Sequence, residues 1–272
     1  MPAKYLCAKR LCVRTEWSII RMLGSKGILP PDTYGLLRIL ICGRRICMRI
    51  NVNGTSLFYE TTGTGTSLLL LHGNGEDHHI FDPLADKLKE RFTIFSIDSR
   101  NHGQSGKTDD YSYETMAEDI FAFTQSLALG PVNIIGFSDG AIVSLLMALR
   151  HRGCISKMAL LGINLSPEDF TEESYQFVKQ HYERTKDPLF RLMLEEPNIS
   201  LEDVKEVGIP VLVAAGENDI FKPETFSQLA QVMPDASLVI MEGHTHDSYI
   251  CGQDLLYPEL LRFFSGKSAG FL

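Results

Sequence analysis

From residue 48 onward the apolar positions fall into short unbroken runs at 68–71, 92–97, 132–135, 158–161, 211–214 and 238–241. Between them lie longer stretches, such as 115–129 and 141–150, in which apolar side chains recur at helical spacing. Unbroken apolar runs of strand length suit strands covered on both faces. Their alternation with amphipathic helices implies a parallel sheet joined by right-handed crossovers. Ahead of the first run, residues 49–52 and 56–60 flank Asn53-Gly54, a dipeptide that favours a type I′ turn, so two antiparallel strands open the domain. The expected class is α/β, a mostly parallel eight-stranded sheet flanked by helices. One interval is too long for a simple crossover. Residues 162–208 are polar, carry helical patterns at 172–186 and 189–195 and contain no convincing strand, which predicts a small helical cap inserted into a core made of 48–161 and 209–266.

Residues 1–47 stand apart from this pattern. They hold nine Lys or Arg against two acidic residues, a net of +7, although the whole chain of 272 residues carries −8. The longest apolar run there, 35–42, is interrupted by Arg38 and falls far short of the roughly 20 residues that span a bilayer. An Arg-rich, acid-poor start is compatible with an organelle transit peptide, yet no cleavage logic is visible. Because Met48 opens the strand pattern, 1–47 reads as a basic extension outside the core, of the kind an upstream misread start would add.

Four of the six cysteines (Cys7, Cys12, Cys42, Cys47) fall in that extension, and Cys154 and Cys251 stand alone in the main body. None has the spacing of a disulfide framework or a zinc site, so the expectation is no metal, no cofactor, a reducing compartment and a cytoplasmic location. The acidic body argues against nucleic acid or anionic membrane as a partner, since both attract cationic surfaces. A small-molecule substrate, handled by a monomer or homodimer, fits better.

The sharpest chemical signal is Gly136-Phe137-Ser138-Asp139-Gly140, set between the run at 132–135 and the helical pattern from 141. A G-x-S-x-G sequence in a strand–turn–helix context forms a nucleophile elbow. The turn holds the serine in a strained conformation, and its flanking positions must be small. Alone, the pentapeptide reads equally well as a glycine-rich βα loop. His72-Gly73-Asn74-Gly75 follows another strand, where backbone amides can meet an oxyanion. His72 itself reads as a buttress of that loop.

Asp98-Ser99-Arg100-Asn101-His102-Gly103-Gln104-Ser105 resembles the D-x-R-G-x-G-x-S loop of the α/β-hydrolase superfamily, with Asn101 and His102 where that family usually has Gly-His or Gly-Phe. The resemblance runs from about Met48 to Phe264 and implies that this loop is architectural. It also implies a triad in the order serine, acid, histidine, met here by Ser138, Asp219 and His246. Glu217 is an alternative acid, and His244 an alternative histidine in the same loop. The implied oxyanion donors are the amides of Asn74 and Asp139.

In the superfamily, haloalkane dehalogenases and epoxide hydrolases carry Asp at the elbow and dienelactone hydrolases carry Cys. Ser138 therefore points to acyl-enzyme chemistry on a small carboxylic ester. Carbon–carbon bond hydrolysis or perhydrolysis on the same triad stays open, as does a non-catalytic binding protein of this fold. Some amino-acid-ester hydrolases of the superfamily share Ser-Asp-Gly, so Asp139 either favours a cationic group near the scissile bond or simply turns its carboxylate toward solvent or a helix N-terminus. Phe170, Tyr175, Phe177, Tyr182, Phe190 and Met193 of the cap either line an acyl pocket or pack among themselves.

Overall fold

The Asn53-Gly54 pair turns the chain as its composition demands, both residues taking positive φ, 41° and 76°. Left-handed conformations at both central positions match the twist of the flanking strands. In the computed structural model, which describes residues 40–42 and 45–266, this hairpin joins β2 (Arg45–Val52) to β3 (Thr55–Thr62). The other strands are β1 (Leu40–Cys42), β4 (Thr66–Leu71), β5 (Phe92–Ile97), β6 (Val132–Phe137), β7 (Ile155–Leu161), β8 (Val211–Asn218) and β9 (Ala236–Thr245). They form one sheet in the order β1-β2-β3-β5-β4-β6-β7-β8-β9, parallel from β5 to β9 and antiparallel before it. This is the expected eight-stranded sheet with one three-residue edge strand added.

Strand alternation divides the core between the two faces of the sheet. Leu69, Leu71, Ile134, Val211 and Val213 pack under α2 (Tyr113–Ser126), α3 (Asp139–Arg150) and α7 (Pro223–Val232). Leu68, Leu70, Ile135, Leu212 and Ala214 pack under α1 (Asp82–Leu88) and α8 (Tyr257–Phe264). Period-two burial of this kind leaves no polar face on the central strands, which is why the sequence shows runs and not alternation. The interval 162–208 supplies α4 (Glu172–Thr185), α5 (Pro188–Glu195) and the single turn α6 (Leu201–Val204).

One expected boundary moves. The core does not begin at 48, because β2 starts at Arg45, whose guanidinium lies among Glu60 (3.4 Å), Asp82 and Asp86 (3.5 Å). Cys47 is buried and its thiol donates to Glu60 Oε1 at 3.1 Å. An arginine held by three carboxylates ties this strand to α1, so residues 45–47 belong to the core. The remainder of the basic extension, β1 excepted, lies outside the described residues.

The same cluster continues inward through His78. Its Nδ1 donates to Asp98 Oδ1 at 2.7 Å, and its Nε2 lies 3.6 Å from Glu60 Oε1. Burial disfavours the charged ring, but the hydrogen bond and the charges of Asp98 and Glu60 outweigh it and raise the pKa to about 9. A histidine whose pKa rises on folding contributes stability that is full below its unfolded value and is lost as pH climbs through the folded one. Urea unfolding should therefore show stability falling between about pH 6.5 and pH 9, by up to about 3 kcal/mol, and His78→Gln should flatten that slope. An unchanged slope in the variant would remove His78 as its source.

Candidate active site

Ser138 stands between β6 and α3 at φ 51° and ψ −115°. A non-glycine residue there is strained by roughly 1–3 kcal/mol, and only over-determined surroundings sustain it. The surroundings are visible. Ser138 N donates to Leu161 O at 2.8 Å, while Ser138 O accepts from the amides of Ala141 and Ile142, the first bonds of α3. A Cβ at Gly136 would lie 2.2 Å from Gly140 O, and one at Gly140 would lie 2.1 Å from Leu71 O. Strand and helix close on each other only because both positions are glycine.

Two loops at the same edge of the sheet bring polar side chains to this serine. Ser138 Oγ donates to His246 Nε2 at 3.1 Å, and His246 Nδ1 donates to Asp219 Oδ1 at 2.8 Å. Asp219, at the end of β8, is nearly sealed from solvent and also accepts from the amides of Gly216 and Phe221, each at 3.3 Å. Its orientation is thus fixed from the backbone. The imidazole is walled by Phe137 and Phe221, with ring centroids at 4.9 and 5.4 Å. On its remaining side lies Gly162, at φ +58°, where a Cβ would come 2.7 Å from His246 Cε1. Gly162 was not singled out from the sequence, although a glycine directly after a strand was the available signal.

The alternative residues face elsewhere. His244 Nδ1 shares a 3.0 Å hydrogen bond with Ser248 Oγ, and Glu217 Oε2 accepts from Gly243 N at 2.8 Å. The cap aromatics divide. Phe170 is buried against Phe221, whereas Phe177 is 66% exposed.

The loop after β4 is held by His72. Its Nδ1 donates to Gly73 O at 2.8 Å and its Nε2 accepts from Ser99 N at 3.0 Å, which requires the neutral ring. Burial first, and the neighbouring His102 second, push its pKa down to about 4, so that tautomer persists at neutral pH. Gly73 lies against the elbow, since a Cβ there would come 3.1 Å from Ser138 Cβ. Asn74 follows it, and its Nδ2 donates to Asp139 Oδ2 at 3.0 Å and to Leu189 O of the cap at 3.2 Å.

Asp139 is buried, and the reading that turned its carboxylate toward solvent is corrected. Tyr113 Oη donates to Asp139 Oδ1 at 2.8 Å, so Tyr113 and Asn74 together draw the carboxylate inward. Burial raises its pKa to about 7 in spite of those two donors. The partnership with Tyr113, 26 positions away, has no local sequence signal.

The loop after β5 is occupied with its own architecture. Arg100 makes a two-pronged contact with Asp119 at 2.7 and 2.8 Å, and Asp98 accepts from the amides of His78 and Gln104. Ser105 Oγ donates to Asp98 O and accepts from Phe58 N. Among the described residues, Asp77, His78 and His79 bring metal-ligand atoms within 4.8 Å of one another. Asp77 Oδ1 caps His79 N and His78 is engaged by Asp98, so these atoms serve the fold. No helix of the described residues is long and apolar enough to cross a membrane.

Comparison with known proteins bears on the family and the fold. Human serine hydrolase BPHL is 30% identical over 208 residues, covering 64% of this chain and 71% of that protein. An esterase from Thermogutta terrifontis superposes with a TM-score of 0.69 at 20% identity, covering 82% of this chain and 98% of that one. The meta-cleavage product hydrolase of Pseudomonas fluorescens IP01 superposes with a TM-score of 0.69 at 19% identity, covering 81% and 98%. Residues 66–192 match the alpha/beta hydrolase fold family, and with the sheet order, the elbow and these relatives the chain belongs to the α/β-hydrolase superfamily.

Proposed function

We propose that this hydrolase cleaves a small carboxylic ester through an acyl-enzyme intermediate, with Ser138 as nucleophile, His246 as general base and acid, and Asp219 as the carboxylate that orients it. The observation that carries the reading is the unbroken chain of hydrogen bonds from Ser138 Oγ through both nitrogens of His246 to Asp219. In the first half-reaction Ser138 Oγ attacks the carbonyl carbon and its proton passes to His246 Nε2. The oxyanion is met by the amides of Asn74 and Asp139, and collapse of the tetrahedral species expels the alcohol, which takes the proton from His246. Water then adds to the acyl-enzyme by the same route, and the acid leaves as Ser138 is restored. Asp219 bonds to Nδ1 and so keeps Nε2 free to accept. The short cap, which pins Asn74 through Leu189, favours a short acyl chain or a small aromatic ester.

A panel of p-nitrophenyl esters and a fluorophosphonate probe test this directly. The expected result is turnover that falls with acyl length, and one covalent adduct on Ser138. An adduct without turnover of any ester would favour carbon–carbon cleavage on the same residues, and neither adduct nor turnover would favour a binding role.

The buried Asp139 carboxylate adds a preference for substrates with a cationic group beside the scissile bond. Both of its oxygens are oriented by neutral donors, and its charge is poised because its pKa lies near 7. The preference for a quaternary-ammonium acyl ester over its neutral isostere should therefore rise with pH between about 6 and 8, as Asp139 loses its proton. A fixed cation keeps the substrate's own titration out of the profile. Asp139→Asn should abolish the rise and lower kcat/KM for the cationic ester by about tenfold or more while sparing the neutral one. Equal slowing of both esters would count against the idea.

A further inference from the structure

We infer that Glu76 is a positioning residue for the oxyanion turn, acting through Gly73 and steadied by the thiol of Cys251; this rests on the reading of Ser138 as nucleophile and of the Asn74 amide as an oxyanion donor. Glu76 grips Gly73 from both sides. Its Oε2 accepts from Gly73 N at 2.9 Å, and its own amide donates to Gly73 O at 3.4 Å. The second carboxylate oxygen, Oε1, accepts from Cys251 Sγ at 3.1 Å. Cys251 closes the turn that follows His246, its amide donating to Asp247 O at 2.9 Å. One carboxylate thus joins the loop that presents the oxyanion donor to the loop that presents the imidazole.

The consequence for catalysis follows from peptide geometry. The Gly73–Asn74 peptide is trans, so the Asn74 N–H points opposite to Gly73 O, and whatever fixes Gly73 aims that donor. His72 and the Glu76 amide hold the carbonyl end, and the Glu76 carboxylate holds the amide end. The turn has little stiffness of its own, because Gly73 lacks a Cβ and Gly75 sits at φ +71°. A side-chain acceptor held at both of its oxygens supplies what the backbone lacks. The contact is close to the chemistry, since the space a Cβ on Gly73 would occupy is bounded by Glu76 Oε2 at 2.8 Å and Ser138 Cβ at 3.1 Å. Burial raises the Glu76 pKa and also that of Cys251, so the thiol stays a protonated donor.

The test compares wild type, Glu76→Ala, Glu76→Gln and Cys251→Ala by the rate at which a fluorophosphonate labels Ser138, by kcat and KM on one p-nitrophenyl ester, and by melting temperature. Misaiming one oxyanion donor should slow labelling and kcat in Glu76→Ala by about 10- to 100-fold while KM stays within about threefold. Glu76→Gln, which keeps an acceptor for Gly73 N, should recover to within about threefold of wild type. A Glu76→Ala protein that labels at the wild-type rate, or a Glu76→Gln protein as slow as the Ala variant, overturns the proposal. If Glu76→Ala does not fold, Cys251→Ala decides: labelling should slow by about three- to tenfold, and a wild-type rate overturns the link between the loops. Wild type that turns over esters without labelling at Ser138 is a distinct failure, which removes the nucleophile reading and this proposal with it.

Discussion

Ser138→Ala is expected to lower ester turnover by about 10⁴- to 10⁶-fold, to leave KM within a few-fold and to abolish labelling by a fluorophosphonate. The size of the effect follows from what the oxygen alone can do. Without Oγ there is no acyl-enzyme, and His246 can at most activate water from a position set for a serine 3.1 Å away. The oxyanion donors stay in place, so a residual rate of about 10³ over the uncatalysed reaction should survive. Substrate binding should hardly change, because the hydroxyl bonds to the imidazole and not to the fold. Elbow geometry should persist as well, since it is enforced by Gly136, Gly140 and the Ser138 backbone bonds and not by the side chain. Full turnover in a folded Ser138→Ala protein would end the acyl-enzyme account.

How much of this was legible in the sequence depends on the distance between the residues that cooperate. The elbow was readable because its constraint is local. The two glycines that let a strand meet a helix stand within two residues of the serine they serve. The central strands were readable because burial on both faces leaves an unbroken apolar run, but the run at 238–241 misled. It belongs to β9, an edge strand from Ala236 to Thr245 that is not covered on both faces and leaves Leu238 and Ile240 exposed. The start of the core was misplaced because Arg45 looked like one more charge in a basic extension. Its partners Glu60, Asp82 and Asp86 are 15 or more positions away, and nothing local marks them. The inward turn of Asp139 escaped for the same reason. In the first turn of a helix a carboxylate has a local explanation in the helix dipole, and that explanation hides the hydroxyl of Tyr113. Glu76 and Cys251, 175 positions apart, were each unremarkable alone.

The choice between two histidines separated by one residue is the sharpest remaining test of the site, and the two should differ by orders of magnitude. His246→Ala should lower kcat by about 10⁴- to 10⁶-fold, because it removes the imidazole that bonds Ser138 Oγ at 3.1 Å and takes its proton. His244→Ala should stay within about threefold of wild type, since its ring bonds to Ser248 and makes no contact with the serine. Strand geometry explains why the pair separates so cleanly. The ladder between β8 and β9 is shifted between Gly216 and Asn218, where Asn218 comes to face Thr245, so the residue after Thr245 arrives beside Asp219. A histidine two positions earlier still runs along the strand, where its side chain is directed at Ser248. Asp219→Asn supplies the third point of the comparison. An amide in place of the carboxylate offers His246 Nδ1 a donor or a weaker acceptor, so the productive tautomer loses its support and kcat should drop by about 10⁴-fold at unchanged fold. A His244→Ala protein as dead as His246→Ala would mean that the 3.1 Å contact with Ser138 is not the one used in turnover.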